Sequence, residues 1–346
     1  MTAAADKLSY MNAVPPPDSA PLVDRFGRVH RSLRVSVTDR CNLRCTYCMP
    51  ADGAVFEPRA NVLTFEEITR AVRLLSTVGV SSVRLTGGEP LLRKDLSTLV
   101  RMLKSIDCVD DLAMTTNAVL LEPVAAELRR AGLNRLNISI DALDPDVNER
   151  LTRRRDLPRT IRGIGAAIDA GFDSIKLNAL AIAGVTPAEV HDLVRFAIDR
   201  GVEMRFIEYM PLDAAGNWDR TAVLTGETLL TLLREHFGDV RPLGRPDVAA
   251  PAERYAVGGG VVGIIRSVTR PFCGSCDRLR LTADGSVRNC LFSDDEEPIR
   301  DRMRAGADDA EILESIRRCV GRKAAGHGIG DESFRPPSRP MYSIGG

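Results

Sequence analysis

The chain has 346 residues, 44% of them hydrophobic, with 47 acidic and 47 basic side chains. That length suffices for one large α/β domain with an appended module or for two domains, and the zero formal charge gives no electrostatic case for nucleic acid as a partner or for a membrane surface. No apolar run approaches the ~20 residues of a membrane span, no charged-then-apolar leader opens the sequence, and eight cysteines are too sparse for a disulfide scaffold. A cytoplasmic protein whose cysteines bind metal is expected.

Residues 1–22, with Pro15-Pro16-Pro17 and no hydrophobic period, read as a disordered lead-in. Arg34 to Thr38 alternates as a short strand, and a loop with Cys41, Cys45 and Cys48 leaves its C-terminal end. Three thiols in a CxxxCxxC spacing match neither structural zinc, which closes at four ligands, nor a ferredoxin run, which supplies four cysteines per cluster. On a four-iron cubane they leave one iron without a protein ligand.

Thr64-Phe65-Glu66-Glu67 is a capping box, and it predicts a helix to about Val78. Then come a strand at 83–86 ending in Gly87-Gly88-Glu89-Pro90, a helix from Asp95, a strand at 112–116, a helix from Pro123 and a strand at 135–140. A helix ending near Gly171, a strand at 174–182, a helix at 187–200 and a strand at 203–209 complete the alternation. Six strands alternating with helices predict right-handed βα units and an α/β fold, an incomplete (β/α)6 barrel over 23–220, whose ligands gather at the carboxyl ends of the strands.

The pattern changes at about 215–225. A smaller C-terminal module, 221–346, is expected to hold a helix at about 226–237, a Pro- and Gly-rich stretch at 241–260 and a strand at 261–268. A hairpin turned by Asp284-Gly285 and helices between about 298 and 322 follow. Cys273, Cys276 and Cys290 lie here, the last across the hairpin, and they read either as a second four-iron cluster with an open iron or as zinc with His327 as fourth ligand. Strand alternation puts Arg278 and Arg280 on one side of the hairpin, beside that centre, where two guanidiniums suit a polyanion. Arg34, Arg84 and Lys176, on three other strands, are candidates to converge with them. Cys108 and Cys319 stand alone and read as small buried apolar residues.

With both triads, GGEP, DRLRL and the terminal Gly345-Gly346 in view, the chain from about Phe26 onward resembles the GTP 3′,8-cyclase family, radical S-adenosylmethionine (SAM) enzymes of molybdenum-cofactor biosynthesis. CxxxCxxC carries only the superfamily; CxxC-x13-C enclosing DRLRL is narrower. The resemblance implies two [4Fe-4S] clusters, on Cys41, Cys45 and Cys48 and on Cys273, Cys276 and Cys290. It implies SAM contacts at Tyr47, Gly88, Ser139 and Met210. GTP contacts map to Arg34, Arg84, Thr115, Lys176, Arg278, Leu279 and Arg280, and the Gly-Gly tail reaches toward the site.

The implied chemistry is reductive cleavage of SAM to a 5′-deoxyadenosyl radical, removal of hydrogen from C3′ of GTP, attack on C8, and a further electron and proton to give 3′,8-cyclo-7,8-dihydro-GTP. The product would pass to cyclic pyranopterin monophosphate synthase. The resemblance specifies no electron donor and is compatible with a homodimer. The alternatives are another radical SAM enzyme with an auxiliary cluster and a non-catalytic zinc or iron–sulfur protein.

Overall fold

Sequences such as Ser-Leu-Arg-Val-Ser, Ser-Val-Arg-Leu-Thr and Ser-Ile-Lys-Leu-Asn alternate strictly, although a parallel sheet covered on both faces favours unbroken apolar runs. The alternation means that one face packs on helices while the other meets a polar interior. A computed structural model, describing residues 20–214 and 216–345, shows that arrangement.

The first part runs β1 (Ser32–Ser36), α1 (Phe65–Thr77), β2 (Ser82–Thr86), α2 (Leu96–Lys104), β3 (Asp111–Thr116), α3 (Ala125–Ala131), β4 (Arg135–Ser139), α4 (Pro145–Thr152), α5 (Leu157–Asp169), β5 (Ser174–Ala181), α6 (Thr186–Asp199) and β6 (Glu203–Glu208). There follow α7 (Gly226–Phe237), β7 (Val240–Gly244), β8 (Glu253–Val257), β9 (Gly260–Ile265), β10 (Arg278–Leu281), β11 (Ser286–Arg288), β12 (Glu296–Pro298), α8 (Arg300–Arg304), α9 (Asp309–Gly321) and α10 (Met341–Ile344). The capping box forms as expected: Glu67 N–H donates to Thr64 Oγ1 at 3.2 Å, and Thr64 N–H to Glu67 Oε2 at 2.7 Å.

All strands join one sheet in the order β12-β11-β10-β1-β2-β3-β4-β5-β6-β9-β8-β7. The six βα strands are parallel neighbours in chain order. Among the described residues the C-terminal third builds no sheet of its own: β9 adds parallel to β6 on one side of the six βα strands and β10 adds parallel to β1 on the other. It is therefore fastened to both ends of the first six strands by backbone hydrogen bonds. Side chains from β10, β9 and every strand between them line one cavity, which strands ~4.8 Å apart reach only if the sheet curves around it.

Other expectations are corrected locally. The stretch at 241–260 contains β7 and β8, because its prolines and glycines fall at the ends and at a bulge between Pro242 and Gly244. The single helix before Gly171 is two, broken where Arg153 adopts φ +55°. Most of the lead-in lies outside the described residues, but Leu22 is in the core and its N–H donates to Val78 O at 3.1 Å. Cys319 is buried as expected, whereas Cys108 is exposed. Among the described residues no helix is long and apolar enough to cross a membrane.

Candidate active site

The cavity has a volume of about 540 Å³, in the range of small-molecule sites. Cys41, Cys45 and Cys48 lie on its wall, presented by the loop after β1. The loop is held from three directions. Thr46 N–H and Arg44 N–H donate to Leu151 O and Thr152 O at the end of α4. The Tyr47 hydroxyl donates to Asp141 Oδ2 beyond β4, and Asp141 Oδ1 accepts from Leu180 N–H at 2.8 Å. Gly88 N–H and Glu89 N–H donate to Thr38 O and Arg40 O, each at 2.8 Å.

The last contact explains the glycines of the GGEP segment. A Cβ on Gly88 would lie 2.3 Å from Arg40 O, and one on Gly87 2.5 Å from Thr38 O, so only glycine lets the two loops touch backbone to backbone. Glu89 then ties strand ends together, accepting from Thr116 Oγ1 at 2.7 Å, Asn117 N–H at 2.8 Å and Leu91 N–H at 3.0 Å. Burial raises its carboxyl to about 7.

Burial also pushes the Cys41 thiol up to about 11, with the Glu89 carboxylate adding to the effect, pushes Cys48 up to about 12, and holds Cys45 well above the ordinary value. Without a metal these thiols are protonated near neutrality, so loading the triad with metal releases protons. Three convergent, desolvated sulfur donors fit a soft iron–sulfur centre.

Thirteen of the residues singled out in the sequence line this cavity: the first triad, Tyr47, Gly88, Ser139 and Met210, together with Arg34, Arg84, Thr115, Lys176, Arg278 and Arg280. Leu279 does not. It is fully buried in the apolar core, because alternation along β10 sends it to the face opposite its two arginine neighbours. Its expected role at the site is corrected to packing.

Cys273, Cys276 and Cys290 do not line the cavity, although the adjoining Asp277, Arg278 and Leu291 do. The zinc alternative loses its fourth ligand. His327 Nδ1 accepts from Ile329 N–H at 3.2 Å and Nε2 faces Ser267 O at 3.0 Å, so both ring nitrogens are engaged. Among the described residues, no three His, Cys, Asp or Glu side chains are drawn together tightly enough for a single ion, whereas a cubane holds its thiolates farther apart.

The polar wall is cationic. Arg280, Arg34 and Arg84 occupy one register row across β10, β1 and β2, and the row continues through Ala113 to Arg135. Arg135 is paired with Asp111, its Nε 2.6 Å from Oδ1, and Arg205 with Glu203 at 2.5 Å. Arg34, Arg84 and Lys176 have no hydrogen bond or ion pair to the described residues. Burial lowers Arg34 to about 10 with Arg278 adding to it, Arg84 well below its ordinary value with Arg34 adding to it, and Lys176 to about 8 with Arg205 adding to it. Arg280 donates to Gly345 O, which brings the described part of the tail to the ends of β1 and β2; Gly346 lies outside the described residues.

Glu89, Asn117 and Asp141, at the carboxyl ends of β2, β3 and β4, also line the cavity, whereas Arg135 and Arg205 were missed as cavity residues. The usable signal was strand phase: Arg135 and Arg205 lie on the same alternating face as Asn137 and Lys176.

Residues 35–197 match the Radical SAM superfamily and residues 202–329 match Molybdenum Cofactor Synthesis C. The chain is 56% identical over 334 residues to the GTP 3′,8-cyclase of Rhodopirellula baltica, covering 95% of this chain and 93% of that protein. It is 49% identical over 333 residues to the GTP 3′,8-cyclase of Rhodococcus opacus, covering 95% and 94%. Streptococcus suis SuiB bound to S-adenosylmethionine superposes with a TM-score of 0.57 over 98% of this chain and 80% of that one; at 16% identity this shows the fold alone. By sequence likeness along nearly its whole length, the chain belongs to the GTP 3′,8-cyclase family of the radical SAM superfamily.

Proposed function

We propose that this protein, a lyase by reaction class, converts GTP to (8S)-3′,8-cyclo-7,8-dihydro-GTP, the first step of molybdenum-cofactor biosynthesis. The observation that carries the reading is the row Arg280, Arg34 and Arg84, without carboxylate partners among the described residues, on the wall of the cavity that also holds the first three thiols. Unpaired buried charge is costly, and a triphosphate compensates it.

Cys41, Cys45 and Cys48 would hold a four-iron cluster which, with SAM bound, supplies the 5′-deoxyadenosyl radical. SAM would lie against Tyr47, Gly88, Ser139 and Met210. Cys273, Cys276 and Cys290 would hold a second cluster on the base side of the nucleotide. Arg34, Arg84, Arg280 and Lys176 bind the phosphates and fix the ribose in the cavity, while Thr115 supplies a neutral hydroxyl donor beside them. The reaction removes hydrogen from C3′ and joins C3′ to C8. The protein's part is alignment of those two carbons and exclusion of water and stray hydrogen donors. The product would be consumed by cyclic pyranopterin monophosphate synthase.

The test is anaerobic incubation of the iron-reconstituted protein with GTP, SAM and a reductant, read by mass spectrometry. Deoxyadenosine and a cyclised purine nucleotide are expected. Zinc without iron in the purified protein, or deoxyadenosine with unaltered GTP, would overturn the reading.

A further inference from the structure

Beneath the second thiol triad lies a buried ionic cluster that the proposed reaction does not use. Lys323, just past the end of α9, is only 2% exposed. Its Nζ donates to Arg278 O at 2.8 Å and stands 3.7 Å from Cys276 Sγ. From the other side Arg28 donates to Cys273 O at 2.7 Å and to Ala324 O at 2.7 Å, while its Nε pairs with Asp24 at 2.6 Å. His30 Nε2 lies 3.2 Å from the same Asp24 carboxylate.

The charges do not cancel inside this cluster. Asp24 is taken up by Arg28, and burial keeps His30 neutral. Lys323 has no carboxylate in ion-pair range among the described residues. A buried ammonium in that position costs several kcal/mol of desolvation unless an anion faces it. The anion on offer is sulfur: Cys276 Sγ is 3.7 Å from the ammonium, and a cysteine that ligates metal does so as the thiolate.

We infer that Lys323 is a positioning residue for the group held by Cys273, Cys276 and Cys290: its ammonium donates to the Cys276 sulfur, fixes that ligand, and raises the reduction potential of the cluster bound there. The inference rests on the reading of the second triad as a cluster site. Its physical basis is that a hydrogen bond and a positive charge at a ligating sulfur stabilise the reduced cluster, which carries one more negative charge, more than the oxidised one.

The experiment uses the full chain with Cys41, Cys45 and Cys48 replaced by Ala, so that only the second triad loads. Iron is measured first, and the cluster is then titrated electrochemically and followed by electron paramagnetic resonance. Lys323→Met removes the charge at similar length. At the parent's midpoint its ratio of reduced to oxidised cluster should fall at least tenfold, which is 59 mV for one electron. Lys323→Arg keeps the charge and should titrate like the parent. An unchanged midpoint in Lys323→Met, or an equal drop in Lys323→Arg, overturns the inference. If Lys323→Met fails to fold, Lys323→Gln is titrated in its place under the same criterion. A parent that takes up no iron removes the cluster reading itself, and iron analysis separates that failure from failure of the lysine alone.

Discussion

Arg34 on β1 and Arg84 on β2 stand in register on adjacent parallel strands, two half-buried guanidiniums side by side with no carboxylate between them. Like charges at such a position destabilise a sheet. Their placement makes sense as recognition of an anion.

Replacing Arg84 with Ala should therefore separate binding from stability. Loss of a charged contact to phosphate, worth about 1.5–3 kcal/mol, should weaken GTP about tenfold to a hundredfold, while the melting temperature holds or rises as the repulsion is relieved. Calorimetric titration and a thermal melt decide it; unchanged affinity with a lower melting temperature would make Arg84 a structural residue.

Gly88→Ala should cost the first cluster. The new Cβ meets backbone, Arg40 O at 2.3 Å, and the contact between the two loops must open. Iron per chain should drop to about half that of the parent, since only the second triad still loads. Gly165→Ala is the control: that glycine is inside α5 with nothing within 4 Å of the added carbon, and the change should stabilise by about 0.5–1 kcal/mol. Full iron in Gly88→Ala would refute the argument.

Glu208, at the end of β6, accepts from Gly226 N–H at 2.9 Å, Val268 N–H at 2.8 Å, Thr269 N–H at 2.7 Å and Thr269 Oγ1 at 2.5 Å. It joins β6 to the start of α7 and to the segment after β9. In Glu208→Gln the amide nitrogen faces N–H donors, and leaving them unmet should cost about 3 kcal/mol in urea unfolding. A loss well under 1 kcal/mol would mean that the segment can rearrange.

His30 should make stability fall in acid. Burial, and then the Lys323 ammonium, lower it from 6.5 to about 4 in the folded protein. Between those values the unfolded chain holds more protons, so the contribution is complete above pH 6.5 and is lost as pH falls toward 4. The difference amounts to about 2 kcal/mol between pH 7 and pH 5. Urea midpoints of the parent should drop more than those of His30→Gln over that interval, and parallel drops would show that His30 is not the group responsible.

Much of the site was readable before any coordinates because local chemistry carries it. The CxxxCxxC spacing brings three thiols into one loop, Thr64 and Glu67 cap α1 through neighbours three residues apart, and strand phase puts Arg278 and Arg280 on one face. All of these depend on short-range geometry. Phase also sends Leu279 to the core, so a contact assigned to the whole segment failed for that side chain.

Only the tertiary structure decided which distant groups meet. The row from Arg280 through Arg34 to Arg84 exists because β10, late in the chain, pairs with β1 on the side away from β2. Lys323 reaches Cys276 because α9 ends beneath the hairpin, and the hydrogen bonds of His327 took away the zinc alternative. No local period encodes these contacts: they follow from sheet register and from packing between elements tens to hundreds of residues apart. The sequence by itself determined the thiol chemistry and the βα alternation; tertiary packing decided which cations were left facing the cavity, and which one was turned toward sulfur.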